Sequence, residues 1–228
     1  MQKEVETAKL VRKFVFDHFL EHSQPPVLEE VMQKFKLNRE EAYNVLQHLD
    51  SAHHLKLLGG TQRILMAWPF SAIPTPFHVT LGSGRRYFAN CAWDAVAFHV
   101  MLKEDVSIDS YCHHCAEHLQ IKLRAHQIES IHPEGALVYL ALPAAKWWDD
   151  IVNTCSNHMT FFQSQAHLDE WLQANADGRG EAVTIEQIIE LSIPIYAEKM
   201  ELNYERPSKD ELNAHFKSLG LQGDFWKL

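Results

Sequence analysis

The chain has 228 residues, of which 46% are hydrophobic and 22% are charged, an ordinary composition for a globular protein. The formal net charge of −9 argues against phosphate binding as the main task. The apolar stretches are short and interrupted and the first residues are charged, so we expect no transmembrane helix, no signal peptide and a cytoplasmic location. In that reducing compartment the four cysteines are expected to be free thiols or metal ligands.

Residues 1–75 are predicted to form a winged-helix-like module that ends in a proline-rich linker. Apolar residues at helical spacing predict three helices, over residues 5–22, 27–35 and 39–52. Asn38 is the expected N-cap of the third helix. Two short strand-like runs follow, at 55–58 and 63–68. Three helices followed by a hairpin are the pattern of a winged helix, a fold that often binds DNA.

The charges of this module argue against a DNA-binding role. Residues 1–66 contain nine Lys or Arg and nine Asp or Glu, which sum to zero. The third helix, where base contacts are expected, opens with Arg39, Glu40 and Glu41 and continues with mostly neutral residues. A protein that reads DNA normally presents a basic face. We therefore expect that this module uses the winged-helix fold as a lid or a packing module and not to bind DNA.

The remainder of the chain, 76–228, is predicted to mix strands and helices. Strands are expected at 105–111, 118–125, 127–132, 135–142 and 159–163. Helices are expected at 87–102, 144–153, 165–172 and 184–196. From about residue 203 the sequence is polar, and we expect a less ordered tail.

The segment 86–99 carries the most informative chemistry. Cys91 and Asp94 lie three residues apart in an apolar run, and in a helix they would share one face. A helix N-terminus would lower the pKa of the Cys91 thiol, whereas burial would raise the pKa of Asp94 and make it a general acid. The plainer alternatives are a small buried hydrophobic residue for Cys91 and a helix-terminal carboxylate for Asp94.

Two further cysteine features are present downstream. Cys155 alone would be a core thiol, but together with Cys91 it would supply two sulfur ligands for a soft cation. The run from Cys112 to Cys115 has the C-x-x-C spacing of half a zinc site, of a redox pair or of an ordinary turn. All three interpretations stay open, with His113 or His118 as candidates to complete a metal site.

Together these segments resemble the organomercurial lyase family, whose members are also called alkylmercury lyases. The resemblance extends from the helical N-terminal module to about residue 200, and its most specific parts are 69–76, 86–94, 135–143 and Cys155 with the residues up to Phe162. It implies an α+β fold in which a winged-helix-like three-helix module, 1–75, precedes a core of small antiparallel sheets packed by helices, 76–228.

The resemblance also implies an activity, the cleavage of the carbon–mercury bond of organomercury cations by protonolysis to give a hydrocarbon and Hg(II). The implied catalytic residues are Cys91, Asp94 and Cys155, and the two cysteines would bind mercury. No organic cofactor is implied, and exogenous thiols or a mercuric reductase would accept the Hg(II). A role in mercury resistance follows from this activity.

Some features depart from the family pattern. Cys112 matches a family cysteine that is regarded as structural, but Cys115 is an addition, and the pair is a candidate site for zinc or copper. The spacing from Cys155 to Phe161 is one residue longer than in the family form. The family also shares its core with a copper-binding group, so a thiol-based metal-binding protein or a metal-responsive winged-helix regulator is the alternative function.

Overall fold

A computed structural model of the chain describes residues 2–125, 127–175 and 180–228. The chain forms two compact units, one of Met1–Pro74 with Met200–Tyr204 and one of Thr75–Lys199 with Glu205–Leu228. Within the described residues, no helix combines the length and the apolar character that crossing a membrane requires. The mixture of helices and antiparallel strands confirms the α+β class.

The first unit contains three helices and three short strands. They are α1 Gln2–His22, α2 Leu28–Phe35, α3 Arg39–Ser51, β1 Lys56–Leu57, β2 Ile64–Ala67 and β3 Phe70–Ser71. The strand β2 pairs antiparallel with both β1 and β3. Asn38 caps α3 as predicted, because its side chain accepts a 2.9 Å hydrogen bond from the backbone N–H of Glu41. The winged-helix character of this unit stays a prediction.

The second unit is built on antiparallel strands. Its strands are β4 His78–Leu81, β5 Arg86–Ala89, β6 Val106–Tyr111, β7 His118–Arg124, β8 Gln127–His132, β9 Leu137–Leu140, β10 Met159–Phe162 and β11 Glu181–Val183. Five of them lie in the order β5-β4-β6-β7-β8, and the others in the order β10-β9-β11. Met159 is paired with Leu140 at the end of β9, which fixes the start of β10.

Helices cover these strands. They are α4 Ala92–Leu102, α5 Ile151–His158, α6 Gln165–Ala174, α7 Ile185–Tyr196 and α8 Lys209–Ser218, with 3-10 turns at Ala144–Lys146 and Asp224–Trp226. The helix α4 is buried over nearly its whole length, as expected for a helix that is apolar on all sides. It packs against α7, where the Trp93 indole N–H donates a 2.8 Å hydrogen bond to Ser192.

Three predicted elements need correction. The helix expected at 87–102 begins only at Ala92, because residues 86–89 pair with β4 as a strand. The helix expected at 144–153 is a short 3-10 turn, and α5 starts at Ile151 because Asp150 caps it, so Cys155 lies within a helix. The expected loose tail instead contains α8, whose Leu212 and Phe216 are buried.

Candidate active site

Cys91 lies at the junction between β5 and α4. Its backbone is extended, with φ of −154° and ψ of 178°, and its Sγ accepts a 3.3 Å hydrogen bond from the backbone N–H of Asp94. The thiol therefore occupies the N-cap position, where Ser, Thr, Asp or Asn is the usual residue. This contact holds the sulfur over the first turn of the helix, where only 2% of the residue is exposed.

Asp94 is buried in that first turn and is surrounded by donors. The Tyr196 hydroxyl donates a 2.6 Å hydrogen bond to Oδ1. The Asn90 amide donates to Oδ2 at 3.2 Å, and the Cys91 thiol donates to the same oxygen at 3.4 Å. The carboxyl is 1% exposed, so these protein groups replace the water that would otherwise solvate its charge.

Cys155 completes the cluster from α5. Its Sγ, the Sγ of Cys91 and a carboxyl oxygen of Asp94 all lie within 4.8 Å of one another. The Sδ atom of Met159 lies 3.9 Å from the Cys91 Sγ and adds a third sulfur to the same space. The structure thus brings together the three residues that the sequence predicted to act together, from two separate helices.

The ionisation of the cluster is set mainly by burial. Burial raises the pKa of Asp94 to about 6, although the hydrogen bond from Tyr196 and the charge of Lys199 partly offset the effect. Burial, the adjacent Cys155 thiol and the Asp94 charge raise the pKa of the Cys91 thiol well above its ordinary value. The expected lowering of the Cys91 pKa by the helix N-terminus is therefore wrong, because desolvation outweighs it.

Comparison with known proteins identifies the family. Residues 70–197 match the family model described as MerB, alkylmercury lyase. The chain belongs to the alkylmercury lyase family. It is 29% identical over 155 residues to alkylmercury lyases of Bacillus cereus and Clostridium butyricum, a match that covers 67% of this chain and 65% of each relative. The match therefore spans somewhat less than two thirds of the length of these relatives.

A third relative and a solved structure also resemble this member of the alkylmercury lyase family. An alkylmercury lyase of Staphylococcus epidermidis is 24% identical over 175 residues, or 75% of each chain. A solved structure described as the mercury-bound form of MerB2 superimposes with a TM-score of 0.67 at 22% identity, and the match covers 86% of this chain and 90% of that chain. At this identity the likeness is one of fold.

Four residues of the cluster escaped prediction from the sequence: Asn90, Met159, Tyr196 and Lys199. Of these four residues, only Asn90 had a signal in the local sequence, because it lies next to Cys91 within the motif that carries the resemblance to alkylmercury lyases. Lys199 is 3% exposed, and its ammonium lies 4.6 Å from the centre of the Tyr196 ring. It follows the end of α7, so only the packing of that helix against α4 places it near Asp94.

The Cys112–Cys115 pair lies in a second cluster of the same unit. The third ligand-type side chain there is His167, which the sequence did not single out. The two histidines predicted as candidates to complete a metal site, His113 and His118, are not among these ligand-type side chains. His113 packs its ring against Trp171, and His118 is paired with Asp109 at 3.1 Å.

Proposed function

We propose that this chain is an organomercurial lyase that cleaves the carbon–mercury bond of a cation R–Hg⁺ by protonolysis. The observation that carries the proposal is the convergence of two thiols and one buried carboxyl within 4.8 Å. Membership of the alkylmercury lyase family and the fold likeness to a mercury-bound relative support it. In this proposal Cys91, Asp94 and Cys155 are the catalytic residues.

The first step is capture of the substrate by sulfur. Mercury is a soft metal, and thiolates are the protein ligands that soft metals prefer. With a pKa of about 6, the Asp94 carboxyl is mostly ionised at pH 7, so it can take the proton of the thiol 3.4 Å away. Formation of the Cys91 sulfur–mercury bond therefore leaves the proton on Asp94.

The second step breaks the carbon–mercury bond. Cys155 adds a second thiolate to mercury and releases its own proton to solvent. Electron density from the two sulfurs makes the carbon more basic, and Asp94 returns its proton to that carbon. The electron pair of the carbon–mercury bond becomes the new carbon–hydrogen bond, and mercury stays in the +2 state.

The atoms and charges of this reaction balance. One R–Hg⁺ and two thiols give one hydrocarbon R–H, one Hg(II) bound by two thiolates, and one proton. No organic cofactor takes part in the proposed reaction, because Asp94 supplies the proton that attacks carbon and the two thiolates hold the mercury that leaves it. Low-molecular-weight thiols or a mercuric reductase would then remove Hg(II) from the two sulfurs.

We place the catalytic core within residues 76–228, which contain the whole thiol and carboxyl cluster. Residues 1–75 form the winged-helix-like module, and its balanced charge makes DNA an unsuitable partner.

Methane formation from methylmercury tests the proposal. With excess thiol, the wild type should release methane into the headspace, as measured by gas chromatography, and Cys91→Ala should release none. Ser156→Ala, an exposed change next to Cys155 on α5, is the matched control and should behave like the wild type. A wild type that binds mercury without releasing methane would contradict the lyase proposal and favour a metal-binding protein.

A further inference from the structure

A second cluster of metal-ligating side chains lies outside the proposed catalytic cluster of Cys91, Asp94 and Cys155. Cys112 and Cys115 come from the turn between β6 and β7, and His167 comes from the first part of α6. The two sulfurs and one ring nitrogen lie within 4.8 Å of one another. The distance from Cys112 Sγ to His167 Nδ1 is 3.8 Å. Neither the family resemblance nor the proposed reaction uses this set.

We propose that Cys112, Cys115 and His167 bind one zinc ion. Zinc takes thiolate and imidazole ligands in tetrahedral geometry, and C-x-x-C is the common spacing for two of them. With bonds of about 2.3 Å to sulfur and about 2.0 Å to nitrogen, tetrahedral zinc separates the two ligand atoms by roughly 3.5 Å. The observed 3.8 Å is close to that separation, so Cys112 and His167 need little relative movement to share one ion.

The Gln163 amide lies beside the His167 ring, with its nitrogen 2.9 Å from Nε2 and 3.0 Å from Nδ1. With its oxygen turned toward the ring and moved off Nδ1, this amide would accept the Nε2–H and leave Nδ1 to the metal. Cys112 is buried whereas Cys115 is exposed, so the ion would lie at the edge of the protein. Water takes the fourth position on the exposed side.

The ion would link the 112–115 turn to α6, because its ligands come from both elements. The turn already contacts β10, because the His113 backbone N–H donates a 2.8 Å hydrogen bond to the Phe161 carbonyl. Cys112 also packs in a buried cluster with Phe162 and Leu168, one from β10 and one from α6. Zinc would therefore stabilise the packing of α6 on the strand that begins at Met159.

Metal analysis of the full chain tests this site independently of the lyase proposal. The double variant Cys91→Ser with Cys155→Ser removes the thiols of the other cluster. After equilibration with zinc and dialysis, it should retain about one zinc per chain by mass spectrometry. With cobalt(II) in place of zinc, it should show the charge-transfer absorption of thiolate bound to cobalt. Failure of the mercury reaction would leave both readouts unchanged.

Variants of the proposed zinc ligands, made in the Cys91→Ser, Cys155→Ser background, test whether these residues bind the ion. Cys115→Ser and His167→Ala should weaken zinc binding by more than the roughly 10- to 100-fold that a change outside the ligand shell costs. Cys115 is exposed, so its replacement leaves the core intact, and His118→Ala is a matched histidine control that should keep the zinc. No retained zinc, or as much zinc retained by the ligand variants as by the Cys91→Ser, Cys155→Ser background, would overturn the assignment.

Discussion

The Tyr196 hydroxyl donates a 2.6 Å hydrogen bond to Oδ1 of Asp94, which ties the end of α7 to the first turn of α4. The other carboxyl oxygen, Oδ2, faces the Cys91 thiol at 3.4 Å. The two oxygens therefore have different surroundings, since Oδ1 accepts from the phenol whereas Oδ2 accepts from the Asn90 amide and the Cys91 thiol. In the proposed reaction Oδ2 is the atom that carries the proton.

Replacing Tyr196 by Phe should move the acid limb of the pH profile to higher pH. The phenol hydrogen bond lowers the pKa of Asp94, so its loss raises that pKa. The carboxylate that accepts the thiol proton then forms only at higher pH, while the charge of Lys199 still acts on it. The measurement is kcat/KM for methane formation as a function of pH.

The control for this change is another tyrosine. Tyr111→Phe removes a phenol that lies on β6 with half of the residue exposed, and its profile should superimpose on that of the wild type. A Tyr196→Phe profile with an unshifted acid limb would show that the phenol does not set the ionisation of Asp94.

Asp94→Asn should change how stability depends on pH. Folding raises the Asp94 pKa from 3.8 to about 6, so the folded wild type binds this proton more tightly than the unfolded chain does. Its contribution to stability is therefore present at low pH and is lost as pH rises through about 6. The free energy of unfolding of the variant minus that of the wild type should grow by about 1 kcal/mol between pH 5 and pH 8.

Urea unfolding at several pH values measures this difference. Asp210→Asn, an exposed change in the first turn of α8, is the control for replacing a carboxyl outside the cluster. If the Asp94→Asn difference does not change with pH, the Asp94 carboxyl does not have a raised pKa in the folded protein.

Met159→Leu should shorten the time for which product mercury stays bound. The thioether lies 3.9 Å from the Cys91 Sγ, within reach of a metal held there, and thioethers are soft donors. Leucine keeps the volume at a cost of less than about 1.5 kcal/mol in stability. Mercury retained after gel filtration through a fixed thiol concentration should fall, whereas Met66→Leu, in the other unit, should retain as much as the wild type. Equal retention by Met159→Leu would exclude a role for its sulfur.

Cys155→Ser should slow methane release and weaken mercury retention together. A hydroxyl is a poor ligand for a soft metal, so only one thiolate would remain to push electron density toward carbon. Parallel assays of headspace methane and bound mercury measure both effects, with Ser156→Ala as the control. Unchanged methane release by Cys155→Ser would remove this residue from the reaction.

Local sequence was sufficient for part of this site. The three-residue spacing of Cys91 and Asp94 places them together because the contact lies within one helical turn. Strands such as β6 and β7 were predictable from their alternation of buried and partly exposed residues. The start of α4 was not, because residues 87–89 are apolar like the helix that follows, and only pairing with β4 makes 86–89 a strand.

Contacts between elements that are far apart in the chain could not be predicted from the sequence pattern. Cys155 was predicted as a second sulfur ligand for a soft cation, but its catalytic role came from the family resemblance, since its own surroundings do not distinguish it from a core thiol. Tyr196 and Lys199 reach Asp94 only because α7 packs on α4, and such packing depends on the whole fold. His167 likewise has no spacing signal with respect to Cys112, because 55 residues separate them.

Whether Asp94 returns the proton to carbon is tested most directly by a single sample of Asp94→Asn mixed with methylmercury, in which bound mercury and headspace methane are both measured. The variant should hold methylmercury on its thiols and release no methane, because the group that returns the proton to carbon is missing. Asp210→Asn should bind the same amount and release methane as the wild type does. Methane release by Asp94→Asn at a rate near that of the wild type would show that another group donates the proton and that the proposed role of Asp94 is wrong.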